Sequence, residues 1–158
     1  MESFRGRFTN KIDAKGRVSL PAKFRSVAAS QGLNGVVCFP SFQGRFIEGS
    51  GPHFAASIDE MLQRLDPFSP ERDMLASVLI GDSAELMFDS DGRVVLPEEL
   101  RAHAGIADEA TFVGLGEKFQ IWEPKAFEAF RAEALEKARG YGDLLKSPAA
   151  LPPVGGAR

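Results

Sequence analysis

The sequence has few of the residues from which catalytic and metal sites are usually built. Among its 158 residues there are one cysteine and two histidines. A single thiol excludes an intrachain disulfide framework and a four-cysteine zinc site. No serine or cysteine stands with His53 or His103 in a pattern typical of nucleophilic catalysis. We therefore expect no enzyme, no metal and no cofactor, and we predict that Cys38, inside the apolar run 36–39, is a buried and inert thiol.

Long apolar runs are also lacking. No run approaches the roughly 18–20 residues that a membrane-spanning helix needs, and the charged opening of the chain differs from a secretory signal. We therefore expect a cytoplasmic protein with no membrane partner. The hydrophobic fraction of 44% is typical of a globular chain. The length allows one ordinary domain, or two small ones that share a core.

The chain has no excess of positive charge, since 19 basic residues stand against 22 acidic ones and the isoelectric point is about 5.5. Taken whole, this balance argues against a nonspecific polyanion binder. The charge is unevenly distributed, however, because residues 1–25 carry +5 and the other 133 residues carry −8. The asymmetry predicts a basic face, although a solvated basic strand edge is the alternative. The basic residues of the first segment are Arg5, Arg7, Lys11, Lys15, Arg17, Lys23 and Arg25.

What the sequence does contain is an internal repeat. Residues 13–21 match residues 89–97 at an offset of 76, with six of the nine positions identical. The similarity continues more weakly through the following strands. It predicts two copies of one module, at 1–81 and 82–140, followed by a Pro/Gly/Ala-rich tail at 141–158 that we expect to be mobile.

The alternation of apolar and polar residues, together with the positions of proline and glycine, predicts the strands and helices of each copy. Gly16 and Gly92 fit a tight reversal that needs a positive φ, and Pro21 and Pro97 fit the first turn of a helix. The whole pattern predicts an α+β fold. The predicted strands are 5–12, 17–20, 35–39, 45–48, 110–114 and 119–122, and the predicted helices are 22–28, 52–65, 70–80, 98–104 and 124–139.

Each repeat carries an Asp-x-x-x-Arg motif that permits several interpretations. In the structural one, Asp13 accepts backbone N–H groups and pairs with Arg17, which only stabilises the hairpin. In a second, Arg17 contacts DNA, Asp13 orients it, and Gly16 lets the backbone approach the duplex. The basic neighbours that would contact phosphates in that case are Arg5, Arg7, Lys11 and Lys15.

Two further interpretations concern the second motif and its acids. Residues 87–98 place acids at the third, fifth and twelfth positions and glycine at the sixth, as a calcium loop does. Met87 occupies the first ligand position, however, and strand-like sequences flank the segment. A catalytic role for the acids lacks a partner constellation.

The paired motifs, together with Phe4-Arg5-Gly6-Arg7-Phe8 and Phe119-Gln120-Ile121-Trp122, closely resemble the MraZ family of bacterial transcriptional regulators over residues 1 to about 140. The resemblance implies two tandem SpoVT/AbrB-like swapped-hairpin β modules that form a pseudo-barrel with flanking helices. It also implies a ring-shaped homo-oligomer that associates with the nucleoid. The expected partner is double-stranded promoter DNA of the division and cell-wall gene cluster, including the protein's own promoter. Its signature residues fall on Asp13, Arg17, Asp89 and Arg93.

The two motifs differ in charge, and this difference leads to a prediction. Lys15 of the first motif is replaced by Asp91 in the second. Because an acid opposes phosphate binding, we expect the first motif to dominate DNA affinity and the second to be mainly structural. A ring would present several copies to repeated short sites. The alternative is an oligomeric structural or interaction protein whose Asp–Arg pairs serve the hairpins alone.

Overall fold

Strands and helices alternate along residues 2–146, the part of the chain that the computed structural model describes. A π-helical turn at Ser77–Gly81 continues the third helix. The strands are β1 (Arg7–Lys11), β2 (Arg17–Ser19), β3 (Gly35–Pro40), β4 (Ile47–Ser50), β5 (Ala84–Met87), β6 (Arg93–Val95), β7 (Glu109–Gly114) and β8 (Phe119–Trp122). The helices are α1 (Ala22–Ser30), α2 (Pro52–Gln63), α3 (Pro70–Ala76), α4 (Glu98–Ala104), α5 (Pro124–Tyr141) and α6 (Asp143–Lys146).

Six of the strands form one antiparallel sheet in the order β1-β7-β8-β4-β3-β5. Strands of different repeats are neighbours at three of its five junctions, because β1 pairs with β7, β4 with β8 and β3 with β5. Helices α1, α2 and α4 contact strand β3. The α+β class is therefore confirmed. The swapped-hairpin pseudo-barrel and the 1–81 and 82–140 modules stay predictions.

The remaining two strands, β2 and β6, form a separate antiparallel pair, which we call the ribbon (residues 17–19 and 93–95). Its register places Val18 opposite Val94 and Ser19 opposite Arg93. Both valines are buried. Since successive strand residues point to opposite faces, Arg17 and Arg93 lie together on the outward face of the ribbon.

The main hydrophobic core draws on both repeats. The Phe24 ring of α1 packs against the rings of Phe4, Phe112 and Phe119, with centroids 5.2–6.4 Å apart. The two ribbon valines belong to the same core. The ribbon is thereby held against the sheet by apolar contacts from both halves of the sequence.

A smaller cluster lies between the main sheet and the helices that follow β4. Phe39 of β3 packs there with Ile58 and Leu62 of α2. The apolar spacing of 52–65 predicts this helix, which ends at Gln63. The next helix, predicted to reach residue 80, is α-helical only to Ala76 and then widens into the π-helical turn.

The chain divides into two compact units, Met1–Pro124 and Lys125–Arg158. The eight strands found within residues 2–146 all belong to the first unit. In the second, α5 continues two residues beyond the predicted end at 139, and α6 follows within the segment predicted to be a tail. The rest of that predicted tail, residues 147–158, lies outside the described residues. Among residues 2–146, no helix is long and apolar enough to span a bilayer.

Candidate nucleic-acid interface

The first turn (residues 13–17) is organised around one carboxylate. Asp13 Oδ1 accepts the backbone N–H groups of Lys15 and Arg17, each at 2.9 Å. Asp13 Oδ2 accepts the Nε–H of Arg17 at 2.6 Å. The Gly16 N–H donates to the Asp13 carbonyl oxygen at 3.0 Å, and Gly16 has a φ of +83°. A single aspartate thus fixes both the backbone of the turn and the arginine that follows it.

These hydrogen bonds also keep the carboxylate ionised. The backbone N–H of Arg17 lowers the pKa of Asp13 most, and the Arg17 side chain and the Lys15 N–H act in the same direction. Partial desolvation opposes them but does not reverse the shift. Asp13 is therefore a stable anion that holds Arg17 by charge and by geometry.

The second turn (residues 89–93) repeats this arrangement. Asp89 Oδ1 accepts the N–H groups of Asp91 and Arg93 at 2.9 Å each, and Asp89 Oδ2 accepts the Arg93 Nε–H at 2.9 Å. The Arg93 backbone N–H is the main cause of a lowered pKa at Asp89. One feature is particular to this turn, because Arg93 Nη2 also lies 3.3 Å from the Asp91 carboxylate. The second arginine is therefore held by two acids, whereas Lys15 occupies the equivalent position in the first turn.

The ribbon brings the two arginines to one surface. Arg17 lies two residues along β2 from Ser19, and Ser19 faces Arg93, so strand geometry separates the two Cα atoms by roughly 8–9 Å. About a third of each arginine side chain is exposed. Val95, on the same outward face, is 56% exposed. The major groove of B-DNA is wide enough to admit a two-stranded antiparallel ribbon.

The other predicted site residues are not all close to this surface. Lys15 is exposed in the first turn, next to Arg17, and Lys11 is exposed at the end of β1 that leads into it. Arg7 begins the same strand, about 20 Å of extended chain before the turn. Arg5 lies beyond it and donates from Nε to Ser3 Oγ at 2.9 Å. The structure therefore groups Lys15 with Arg17 and places Arg5 and Arg7 at the far end of β1.

Gly16 and its equivalent have a structural reason to be glycine. A Cβ built on Gly16 would lie 3.3 Å from the Leu96 carbonyl oxygen, and a Cβ on Gly92 would lie 2.7 Å from Arg25 Nε. The close neighbour of each glycine therefore belongs to the opposite repeat. A single motif does not reveal Arg25 and Arg101, which lie against these turns, although their spacing of 76 residues equals the repeat offset.

The residues considered for calcium binding, other metal binding and catalysis have other roles or partners in the structure. The acids that would form the front of a calcium loop, Asp89 and Asp91, are instead paired with Arg93. The His103 ring bonds the Gly44 carbonyl oxygen through Nε2 at 2.9 Å. Within residues 2–146 no cluster of three or more His, Cys, Asp or Glu side chains could hold a metal. Cys38 is fully buried, as predicted, and burial raises the pKa of its thiol to about 12.

Fold and site together define a class of protein: a duplicated α+β fold in which two aspartate-anchored arginines share one exposed β-ribbon. Comparison with known proteins identifies the family within that class. The family model described as "MraZ protein, putative antitoxin-like" matches residues 79–140. That segment contains the second turn and the second half of the ribbon.

Whole-chain relatives extend the match to the first repeat. A protein of Parvibaculum lavamentivorans named "Transcriptional regulator MraZ" is 65% identical over 158 residues, covering 99% of this chain and 98% of its own. A protein of the same name from Beijerinckia indica is 47% identical over 97% of this chain and 96% of its own. One from Rickettsia canadensis is 42% identical over 82% of this chain and 87% of its own. The chain belongs to the MraZ family.

Proposed function

We propose that this chain is a sequence-specific DNA-binding transcriptional regulator. It represses the division and cell-wall gene cluster, including its own promoter, and works in the cytoplasm in association with the nucleoid. The name "Transcriptional regulator MraZ" carried by its relatives supports a role in transcription. The observation that carries the DNA-binding proposal is the pair of partly exposed arginines, Arg17 and Arg93, on one outward ribbon face.

The geometry suits recognition because each arginine is oriented before DNA arrives. A guanidinium presents several donors in a rigid fork. The aspartate takes the Nε–H of Arg17, and the remaining donors of that partly exposed side chain are its terminal nitrogens. They suit a bidentate contact with a guanine edge or a phosphate. Preorganisation of this kind reduces the side-chain entropy lost on binding.

The first turn makes the larger contribution to affinity in this proposal. Lys15 adds a positive charge beside Arg17, and each phosphate it neutralises favours binding through counterion release. Asp91 occupies the equivalent place in the second turn and already pairs with Arg93. Its carboxylate opposes a nearby phosphate. The second turn therefore orients the ribbon more than it attracts the duplex.

Oligomerisation completes the proposal. One short ribbon offers few contacts, and a ring-shaped homo-oligomer would present several ribbons to repeated short sites in the promoter. The surface supports association, since Phe42, Phe68 and Met74 are more than half exposed. Several modest contacts would then combine into selective binding.

Footprinting and gel-shift assays on the protein's own promoter test the proposal at one salt concentration. We expect Arg17→Ala to weaken binding about 10- to 100-fold, the loss of one good arginine contact, and Arg93→Ala to weaken it less. Arg64→Ala is the matched control, because it removes one exposed arginine that follows helix α2. An equal or larger loss from Arg93→Ala would overturn the ranking of the turns. Binding that is neither sequence-selective nor salt-dependent would overturn DNA recognition itself.

A second candidate function has one observation in its favour. Each hydrogen bond given above for Asp13 and Asp89 lies within that aspartate's own turn, and a purely structural motif would show the same geometry. In that case the chain is an oligomeric interaction protein. The same promoter gel shift separates the two functions, since an interaction protein would leave the DNA unretained at every protein concentration that keeps the oligomer intact.

A further inference from the structure

Two arginines outside the Asp-x-x-x-Arg motifs occupy equivalent places in the two repeats. Arg25 lies in α1 and Arg101 lies in α4, 76 residues apart. Arg25 Nη1 donates to the Leu20 carbonyl oxygen at 2.6 Å, and Arg101 Nε donates to the Leu96 carbonyl oxygen at 3.0 Å. Both side chains are half-buried, and each is hydrogen-bonded to the main chain. These bonds fix the position of each guanidinium.

Each guanidinium lies beside the turn of the opposite repeat. Leu96, which accepts from Arg101, donates its own N–H to the Gly16 carbonyl oxygen at 2.8 Å. The Arg101 guanidinium is also the nearest side chain to Gly16, because a Cβ built there would lie 3.5 Å from Nη2. A continuous chain of contacts therefore runs from Arg101, in the second repeat, to the turn that carries Arg17.

The reciprocal arrangement links α1 to the second turn. Leu20, which accepts from Arg25, donates its N–H to the Gly92 carbonyl oxygen at 3.3 Å. The Arg25 Nε and Cζ atoms would lie 2.7 and 2.8 Å from a Cβ on Gly92. The two arginines donate through different nitrogens, Nη1 in Arg25 and Nε in Arg101, but both lie between a leucine carbonyl oxygen of their own repeat and the turn glycine of the other.

We propose that Arg101 is a positioning residue for the first DNA-binding turn and Arg25 for the second, so that each turn is controlled by the helix of the other repeat. The inference rests on the proposed DNA-binding function. The rigid, planar guanidinium suits this role, because one of its nitrogens donates to a carbonyl oxygen while the group lies beside a glycine that has no side chain. Mutations in the acidic second repeat are then expected to change the behaviour of the basic first turn.

Amide hydrogen exchange on the full-length protein tests the positioning without DNA. We expect Arg101→Ala to accelerate exchange at the Lys15 and Arg17 amides about tenfold, the effect of losing one charged hydrogen bond. The Asp91 and Arg93 amides should stay within about twofold of wild type, because Arg101 lies against the first turn and its removal takes no contact from the second. Arg25→Ala should give the reverse pattern. Equal acceleration at both turns, at neither turn, or at the turn of the same repeat would overturn the inference.

Conservative variants guard against loss of the fold. Arg101→Lys keeps the charge and one donor toward the Leu96 carbonyl oxygen, so it should restore part of the protection of the first turn. Arg101→Gln keeps a donor without the charge and should restore less. If Arg101→Ala does not fold, the positioning role is tested by whether Arg101→Lys protects the amides of the first turn from exchange better than Arg101→Gln does. Identical exchange in wild type, Lys and Gln variants would contradict a positioning role.

A double-mutant cycle in promoter binding separates positioning from direct contact. If Arg101 acts through the first turn, Arg101→Ala should add little to the loss already caused by Arg17→Ala and should add fully to that of Arg93→Ala. Full additivity with Arg17→Ala would overturn positioning in favour of an independent contact. If the exchange pattern appears as expected but no variant changes DNA binding, the proposed function fails and the positioning stands. If Arg17→Ala abolishes DNA binding while Arg101→Ala leaves amide exchange unchanged, the positioning role fails and the proposed function stands.

Discussion

At the scale of single residues, the length of the aspartate side chain explains why each turn begins with this acid. Its two oxygens reach the backbone N–H groups two and four residues on and the guanidinium of the fourth residue at the same time. Glutamate has one more methylene and would not meet backbone groups this close to its own Cα without rearranging the turn. The short acid therefore couples turn geometry to arginine orientation.

The lowered pKa of Asp13 predicts how acid affects the first turn. Because the folded state lowers this pKa, the ionised carboxylate contributes stability that is fully present above the ordinary value of 3.8 and is lost as the pH falls through the lowered one. We expect Asp13→Asn to be less stable than wild type at neutral pH. The difference should shrink as the pH falls below that ordinary value.

Denaturant unfolding at a series of pH values measures this difference. Asp59→Asn, which removes an exposed carboxylate from helix α2, is the control for the loss of one surface charge. A stability difference between wild type and Asp13→Asn that stays constant from neutral pH to pH values well below 3.8 would contradict the role assigned to Asp13.

Gly16 provides a second test at this scale. Alanine at its φ of +83° costs about 1–2 kcal/mol for the left-handed conformation alone. The added methyl group would also press on the Leu96 carbonyl oxygen at 3.3 Å. Gly32 is the matched control, since it has a φ of +90° but a methyl group added there would meet nothing within 4 Å. We expect urea unfolding to show a larger loss of stability for Gly16→Ala than for Gly32→Ala.

Comparable losses for the two alanine variants would mean that backbone conformation accounts for the whole effect. The contact between the first turn and the second half of the ribbon would then contribute nothing measurable. A greater loss for Gly16→Ala than for Gly32→Ala would locate the extra cost at the contact with the Leu96 carbonyl oxygen, since both glycines have a positive φ.

At the scale of elements, the pairing of strands across the two repeats predicts that neither half folds alone. Cutting the chain between residues 81 and 82 separates β1 from β7, β4 from β8, β3 from β5, and the two strands of the ribbon. We expect the fragments 1–81 and 82–158 to lack fixed tertiary structure separately and to regain it when mixed, because the lost pairings are shared between them.

The single tryptophan reports on this reassembly. Trp122 stacks on Phe46 of the other fragment, with ring centroids 4.6 Å apart, so its fluorescence should change on mixing. A fragment 82–158 with Ile121→Asp is the control, since Ile121 is buried and pairs with Ile47 across the cut. Cooperative unfolding of 1–81 by itself would show that the first repeat is an independent domain.

Element boundaries follow from sequence where proline or glycine marks them. The predicted helix 98–104 and strand 119–122 agree with α4 and β8 residue for residue. Strand partners do not follow in the same way, because alternation sets the face of a residue but not the neighbouring strand. The pairing of β1 with β7 joins residues about a hundred positions apart, and only tertiary packing selects it.

The candidate site shows the same limit. The motif predicts the pairing of Asp13 with Arg17, since both ends of that contact lie within five residues. It does not predict that Arg93 shares the ribbon face with Arg17, or that Arg101 lies over Gly16, because both depend on the β2–β6 register. Charge alone groups Arg5 and Arg7 with the first turn, whereas the extended geometry of β1 separates them from it.

At the scale of the whole molecule, the two turns differ in charge in the same direction as the two repeats, the first being the more basic in both comparisons. With Arg101 counted, the first turn has three basic groups and one acid, and with Arg25 counted, the second has two of each. Of the two turns, the first is the more basic, and it is carried by an acidic protein. The acidic remainder limits nonspecific binding, while the first turn leaves a site for phosphate. The groups counted are Asp13, Lys15, Arg17 and Arg101 for the first turn and Arg25, Asp89, Asp91 and Arg93 for the second.

The proposed ring makes a prediction about DNA that no single chain would make. Ribbons held at fixed spacing engage repeated sites together only if every site faces the protein. Inserting about 5 base pairs between two DNA sites, which is half a turn of the double helix, rotates the major groove of one site to the far side of the duplex. We expect this insertion to weaken promoter binding at least about tenfold, since one of the linked contacts is lost.

An insertion of a full turn, about 10 base pairs, is the matched control, because it restores the rotational phase and changes only the spacing. A rigid ring should therefore recover part of the lost affinity with the full-turn insertion and none with the half-turn one. Affinity that falls smoothly with spacer length, regardless of phase, would indicate ribbons joined flexibly. Affinity that is indifferent to both would mean that each ribbon binds alone, and the weak contact area of one ribbon would then have to account for all of the selectivity.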